Sequence, residues 1–223
     1  CFLGEGGVVQ HIRPGSLVID SSTIDPATTD RLAAELAAAG VAFVDAPVGR
    51  SPIQAAEGTL LFMIGAEAAD LARARPLLDA MGSDIVHCGG VGSGIRTKLV
   101  NNLLSQATCQ LSAEAVALGL KMGLSLETLL PVMTGGLGSN GFLSGYWPAK
   151  VLAGDTEPGF AIRLSAKDLG LAVAMAEAAG APIPTGTAAA EAVARAAESD
   201  GDLDVSGLLT LACAAAGTKL PEK

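Results

Sequence analysis

The chain has 223 residues and a formal net charge of −9 at pH 7, and half of its residues are hydrophobic. This length is enough for one large domain or two smaller ones with a substantial core. Because the sequence contains no basic stripe, we exclude nucleic acids and anionic membrane surfaces as expected partners. The sequence has no uninterrupted apolar run of about 18 residues, so no membrane span is predicted.

The cysteine and histidine content argues against a metal site. The cysteines are Cys1, Cys88, Cys109 and Cys213. Their spacing is typical of neither a zinc site nor a small disulfide framework. His11 and His87 are the only histidines, so a histidine-based metal site is not expected. Since no charged and then apolar leader opens the chain, we expect free thiols and a cytoplasmic location.

The first part of the chain alternates short apolar runs with helical patterns. The predicted strands are residues 16–22, 41–46, 59–65 and 84–89, and the predicted helices are residues 25–40 and 67–82. Asp25 and Pro26 are start signals for the first of these helices, and Gly40 is its stop signal. Strands that alternate with helices predict a largely parallel sheet in an α/β layer.

The pattern changes from residue 92 onward. Residues 95–123 contain no Pro and no glycine before Gly119, which predicts one long helix. Further helices are predicted over residues 126–135, 164–180, 185–200 and 205–217. No strand is predicted after residue 89. The expected organisation is therefore an α/β part over 1–91 and an all-helical part over 92–223, which begins with the long helix.

A compact polar patch lies near the start of the predicted long helix. Lys98, Asn101, Asn102 and Ser105 fall on neighbouring rows of one helix face, because residues three, four and seven apart are neighbours on a helix. The intervening apolar residues are expected to pack on other sides: Leu99, Val100, Leu103 and Leu104. The patch is interpreted either as a solvated face or as part of a ligand site at a domain junction.

A second candidate feature follows the strand VAFVDA, in the segment VDAPVGRSP (44–52). Pro47 predicts a sharp turn, and ligands of open α/β sheets bind beyond the carboxyl ends of the strands. Arg50 is flanked by Gly49 and Ser51, so a fork of donors lies beside exposed backbone N–H groups. This combination indicates an anion site. The alternative is an ordinary surface arginine.

Two glycine motifs carry less information. GLGSNG (136–141) matches G-x-G-x-x-G, but it follows a predicted helix and has no βαβ unit around it. We interpret it as a turn between helices. CGGVGSG (88–94) does lie between a strand and a helix, and its glycines would allow the backbone to approach a ligand closely, but its spacing does not match the dinucleotide fingerprint.

Four motifs together resemble those of the β-hydroxyacid dehydrogenase family, which includes 3-hydroxyisobutyrate dehydrogenases. They are DAPV at 45–48, EGTLLFMIG at 57–65, KLVNN at 98–102 and KDLGLA at 167–172. The resemblance covers essentially the whole chain. It implies a Rossmann-type domain that binds NAD or NADP, a long interdomain helix, and an all-α domain that mediates a homodimer or homotetramer.

The resemblance also implies residue roles in the reduction of a small anionic aldehyde. Members acting on hydroxyisobutyrate usually carry Ser-Gly-Gly after DAPV, whereas this chain has Gly49-Arg50-Ser51, which resembles members that bind a sulfonate. Lys98 would be the catalytic acid or base. The implied substrate contacts are Gly49, Arg50, Asn101, Asn102 and Ser105, and the implied cofactor contacts are Thr23 and Lys167. From the residues alone, the favoured interpretation is that Lys167 pairs with Asp168 or with solvent.

The sequence departs from the family pattern at its start. The family's G-x-G-x-x-G turn belongs to a first βα unit that is absent here, so we expect roughly seventy residues to precede Cys1. The choice between NAD and NADP is therefore not readable. Two alternatives stay open: a reductase of a carboxylate-bearing semialdehyde, such as succinic or tartronate semialdehyde, and a non-catalytic fragment that acts only in assembly.

Overall fold

The computed structural model describes residues 2–155 and 157–221. Contacts between residues divide the chain into two compact units, Cys1–Asn101 and Asn102–Lys223. This division falls inside a long helix, whereas the sequence-based division at residues 91 and 92 falls just before that helix. Each unit is described by itself below.

The first unit contains a five-stranded sheet. Its strands are β1 (Leu17–Asp20), β2 (Ala42–Asp45), β3 (Val48–Gly49), β4 (Leu60–Gly65) and β5 (Gly82–Gly89), and its helices are α1 (Pro26–Ala38), α2 (Pro52–Ala56) and α3 (Ala68–Met81). The four strands and two helices predicted from apolar runs are confirmed. β3 and α2 were not predicted, because two and five residues are too few to give a periodic pattern.

The sheet is mixed rather than largely parallel. β1 pairs with β2, and β4 with β5, in parallel, whereas β2 and β3 both pair antiparallel with β4. The pairs Asp45–Gly65 and Val48–Phe62 belong to one register, so β3 continues the line of β2. Pro47 continues this pairing, because its carbonyl oxygen accepts a hydrogen bond from the backbone N–H of Met63 at 3.0 Å. The turn predicted at Pro47 was therefore wrong.

Helices pack on both faces of this sheet, because successive strand residues point to opposite faces. Phe43 packs with Leu36 of α1 in one buried cluster. Val44, the next residue of β2, packs with Leu78 of α3 in another. These two apolar layers form the core of the unit, and they confirm the expected Rossmann-like α/β architecture.

The second unit is helical. The remaining helices are α4 (Ser93–Lys121), which begins in the first unit, α5 (Leu126–Gly135), α6 (Trp147–Ala149), α7 (Ile162–Ala179), α8 (Pro184–Asp200) and α9 (Leu208–Ala215). They enclose a core that includes Trp147, Leu169 and Leu209, all fully buried. Over residues 90–155 and 157–221, β pairing is limited to an isolated bridge between Ala161 and Asp204. The all-helical prediction is therefore confirmed.

The segment GLGSNG joins α5 to a π-helical turn at Phe142–Tyr146, so it is a turn between helices, as predicted. Within the part of the chain that the structure describes, no helix has both the length and the apolar character that a membrane crossing requires.

Candidate functional site

The start of α4 is fixed by Asp45, the aspartate of the DAPV motif at the carboxyl end of β2. This carboxylate is 2% exposed and accepts from the backbone N–H groups of Gly92 at 2.6 Å and Ile95 at 2.8 Å. Burial raises the pKa of Asp45, and the backbone N–H donors act in the opposite direction. Asp45 therefore joins the first turn of α4 to the sheet that precedes it.

The glycines of CGGVGSG support the same junction. A Cβ atom added to Gly94 would lie 2.4 Å from the carbonyl oxygen of Met63 and 2.8 Å from that of Asp45. Only a glycine lets the first turn of α4 approach β4 this closely. At Gly94 the close approach is thus to another strand of the protein, rather than to a ligand.

The polar patch on α4 is divided between exposed and buried positions. Asn102 is 4% exposed, Lys98 and Ser105 are half-buried, and Asn101 is exposed. A solvated face would expose all four side chains, so that interpretation does not hold for Asn102. Burying an amide costs free energy unless its hydrogen-bonding groups have partners, so the buried Asn102 needs a partner.

The apolar residues between these polar groups do not all pack inside. Leu99 is fully buried, as expected for a core side chain. Val100 is 58% exposed and Leu104 is 71% exposed, so the expectation that both would pack on other sides was wrong. The sequence pattern could not reveal this, because α4 has apolar residues around most of its circumference.

The partner of Asn102 is Asp168 on α7. Asn102 Nδ2 donates to Asp168 Oδ2 at 2.7 Å, and the Asp168 carboxylate is buried at 3% exposure. Lys167 Nζ lies 3.0 Å from Asp168 Oδ1. The pairing of Lys167 with its neighbour is therefore present, and the same carboxylate also holds a predicted substrate residue.

Arg50 is at an unusual backbone position. Its φ is +78°, and among the described residues it is the one non-glycine with a positive φ. This left-handed conformation costs a non-glycine residue about 1–2 kcal/mol, whereas the glycine of a Ser-Gly-Gly segment would adopt it readily. Gly49, just before it, is buried against Leu61. The chain thus bends at Arg50, just before α2.

The guanidinium of Arg50 is engaged within the first unit. It donates to the carbonyl oxygen of Thr59, to Ser83 Oγ at 2.7 Å and to Asp84 Oδ2 at 2.5 Å. The Ser83 hydroxyl and Arg50 together lower the pKa of Asp84. These partners lie near the starts of β4 and β5, whereas α4 begins after the opposite end of β5. In this arrangement Arg50 binds an internal carboxylate.

Two residues could contact a dinucleotide. Thr23 is half-buried in the segment that follows the carboxyl end of β1, which is where open α/β sheets bind ligands. The side chain of Lys167 is 46% exposed, and an ammonium can bind a phosphate or ribose oxygen. Thr23 and Lys167 are thus each of a chemical type that fits a nicotinamide dinucleotide.

Sequence reasoning assigned no role in the site to three aspartates that organise these features: Asp45, Asp84 and Asp168. Two of them stand inside the family motifs DAPV and KDLGLA, at positions where an aspartate would be buried. A carboxylate in an apolar strand or on the inner face of a helix is a signal in itself, because such groups are rarely buried without partners.

Comparisons with known proteins identify the family. The family described as "NAD binding domain of 6-phosphogluconate dehydrogenase" matches residues 1–90, and that described as "NAD-binding of NADP-dependent 3-hydroxyisobutyrate dehydrogenase" matches residues 92–212. Both descriptions name NAD-binding domains, which confirms the predicted cofactor class.

Curated relatives agree. 3-Sulfolactaldehyde reductase of Escherichia coli K12 is 45% identical over 172 residues, covering 77% of this chain and 58% of that protein. NAD-dependent L-serine dehydrogenase of Pseudomonas aeruginosa is 41% identical over 177 residues, covering 77% of this chain and 59% of that protein. The chain thus spans less than two thirds of the length of these relatives.

The solved structures show the same relationship. The 3-hydroxyisobutyrate dehydrogenase of Mycobacterium tuberculosis with L-serine has a TM-score of 0.84 and 38% identity, covering 91% of this chain and 72% of that one. The 3-hydroxyisobutyrate dehydrogenase ygbJ of Salmonella typhimurium has a TM-score of 0.80 and 31% identity, covering 92% and 72%. The chain belongs to the 3-hydroxyisobutyrate dehydrogenase-like family of NAD(P)-binding proteins.

Proposed function

We propose that this chain is part of an NAD(P)-dependent β-hydroxyacid dehydrogenase that reduces a small anionic aldehyde, and that its substrate is 3-sulfolactaldehyde, giving 2,3-dihydroxypropane-1-sulfonate. The observation that carries the proposal is on α4, where the half-buried Lys98 precedes by one turn the buried Asn102 that Asp168 holds. A cation and a fixed amide at this spacing suit proton transfer to a carbonyl oxygen and its orientation.

The roles of the chain's own groups follow from their chemistry. When bound, the dinucleotide supplies the hydride that reduces the aldehyde carbon, and Thr23 and Lys167 hold it. As the carbonyl double bond opens, Lys98 Nζ gives a proton to the oxygen, which becomes the alcohol, and the ammonium becomes a neutral amine. Such a positioned acid typically contributes 10²–10⁴-fold in rate.

The anionic end of the substrate is assigned to Arg50, with Asn101 and Ser105 as further contacts and Gly49 and Asn102 lining the site. A guanidinium binds sulfonate or carboxylate oxygens through two parallel N–H donors. The left-handed backbone at Arg50 supports this role, because an arginine occupies a position that suits glycine better. The role requires the guanidinium to leave Asp84 and to come within reach of Lys98 when the substrate binds.

The central test compares Lys98→Ala with Lys121→Ala in the complete gene product. Both lysines are on α4, but Lys121 is in its last turn. We expect Lys98→Ala to lower kcat by about 10²–10⁴-fold with an unchanged Kd for the cofactor. Lys121→Ala should leave kcat unaltered. Retained kcat in Lys98→Ala would remove Lys98 from the role of proton donor.

A carboxylate-bearing substrate is the second candidate, and one observation favours it. Arg50 Nη2 already donates to a carboxylate, that of Asp84, so the guanidinium can bind this group. Succinic semialdehyde, tartronate semialdehyde or 3-hydroxyisobutyrate would satisfy it equally well. Comparing kcat/KM for 3-sulfolactaldehyde and succinic semialdehyde decides, and a higher value for the carboxylate would overturn the sulfonate assignment.

Assembly into a homodimer or homotetramer is supported by α4. Leu104, Leu111 and Leu118 are seven residues apart and are 71%, 62% and 63% exposed. An apolar stripe with this spacing is typical of a packed helix seam. Leu111→Glu should reduce the molar mass measured by light scattering to that of a monomer. Assembly without turnover on any aldehyde would instead favour a role in assembly alone.

A further inference from the structure

Asp168 holds two groups that the proposed function uses for different molecules. Its carboxylate accepts from the side chain of Asn102, on the substrate side, and lies 3.0 Å from the ammonium of Lys167, on the cofactor side. A buried carboxylate is costly without partners, and at 3% exposure Asp168 has a hydrogen bond from Asn102 on Oδ2 and an ion pair with Lys167 on Oδ1.

The chemistry of this contact fixes the orientation of an amide. An ionised carboxylate can only accept hydrogen bonds, so the nitrogen of Asn102 faces Asp168 and the carbonyl oxygen Oδ1 is directed away from it. Without such a partner the two ends of an amide are interchangeable by rotation. With it, Asn102 presents an acceptor in one defined direction.

We propose that Asp168 is a positioning residue of the reductase: it orients the Asn102 amide so that Oδ1 accepts a hydrogen bond from the hydroxyl group of the hydroxyacid, and it holds Lys167 toward the cofactor. The proposal rests on the proposed function and adds a residue to it. It implies that catalysis requires the Asn102–Asp168 hydrogen bond and also requires Asn102 to be its donor.

A purely structural role is the competing explanation, since the contact also ties α4 to α7. The same two helices carry a matched pair one turn away. Ser165 Oγ donates to Gln106 Oε1 at 3.0 Å, and both residues are buried. Ser165 and Gln106 have no assigned role in the reaction, so Ser165→Ala measures the effect of losing a buried tie between these helices.

The main experiment uses Asp168→Asn, Ser165→Ala and the exchanged double variant Asn102→Asp/Asp168→Asn in the complete gene product. We expect Asp168→Asn to lower kcat about 10²-fold, because a small misplacement of a substrate-orienting group has effects of this size. Ser165→Ala should change kcat less than twofold. The exchange should restore the melting temperature but not kcat, since residue 102 would then be a carboxylate.

Two outcomes would overturn the proposal. One is a kcat of Asp168→Asn within twofold of the unmodified protein. The other is recovery of kcat in the exchanged variant, which would show that any hydrogen bond between the two positions is enough.

A measurement that does not depend on turnover separates this proposal from the proposed function. It uses the unmodified chain, so it does not require a variant that folds. In ¹⁵N NMR spectra of the unmodified chain, the side-chain NH₂ of Asn102 should exchange with solvent at least tenfold more slowly than it does in the same chain unfolded in urea. An exchange rate equal to that of the unfolded chain would show that Asp168 does not hold the amide. Slow exchange in a protein inactive on every aldehyde would refute the reductase but keep the orientation.

Discussion

Two buried aspartates, one in each unit, have nearly the same exposure and different partners. Asp45 is 2% exposed and accepts from backbone N–H groups of Gly92 and Ile95. Asp168 is 3% exposed and contacts the side chains of Asn102 and Lys167. A carboxylate that binds backbone stabilises a fold, whereas one that binds side chains can orient chemistry. The partners of a buried charge therefore indicate its role better than its burial does.

The sharpest test of this contrast compares Asp45→Ala with Asp168→Ala in urea unfolding. Asp45→Ala leaves two buried backbone donors without an acceptor, so we expect the free energy of unfolding to fall by about 2–4 kcal/mol. Asp168→Ala should reduce it by only about 1–2 kcal/mol, because the half-exposed Lys167 is solvated and one amide loses its partner. Equal losses would make Asp168 a structural anchor like Asp45.

Two helical glycines test how tightly the junction at Asp45 is packed. Gly94→Ala would place a Cβ against the backbone oxygen of Met63, and we expect a loss of about 1–3 kcal/mol. At Gly170, inside α7, an added Cβ would meet no atom within 4 Å, so Gly170→Ala should stabilise the chain by about 0.5–1 kcal/mol. Thermal unfolding of the two variants measures the difference. A stable Gly94→Ala variant would contradict the close approach.

Asp84 differs from the two buried aspartates, because its ion pair with Arg50 is exposed and therefore weak. Asp84→Asn should lower KM for the anionic aldehyde up to about fivefold, because the substrate no longer competes with an internal carboxylate. Arg50→Gly should raise KM at least tenfold while relieving the left-handed backbone. Steady-state kinetics of the complete gene product measure both effects.

Asp79→Asn is the matched control for Asp84→Asn. Asp79 forms a similarly exposed pair with Arg75 on α3, at 2.8 Å. Its loss should leave KM unchanged. If Asp84→Asn also leaves KM unchanged, Arg50 does not exchange Asp84 for the substrate, and the anion is held by other groups.

Local patterns predicted much of the fold. The alternation of apolar runs located β1, β2, β4 and β5, and the absence of Pro over residues 95–123 located α4. Such signals are local, since a buried strand or helix needs apolar residues at a fixed period. The continuation of β2 into β3 without a turn was not predicted, because it depends on the pairing of both strands with β4.

The sequence proposed residues for the candidate site but not the contacts that these residues make. Motif resemblance pointed to Lys98, Asn102 and Arg50. It did not indicate that Asn102 is buried against Asp168, 66 positions away, or that Arg50 turns to Asp84, 34 positions away. Hydrogen bonds between distant positions leave no periodic trace in a sequence.

The sequence by itself determined the order of the longer strands and helices, the family, and the charged and polar groups of the candidate site, because apolar periodicity and motif composition are properties of short segments. The tertiary structure alone decided which carboxylate faces which donor. That choice sets the direction of the Asn102 amide, the present partner of Arg50 and the anchoring of α4, since a buried charge is stable only where folding brings its partners to it.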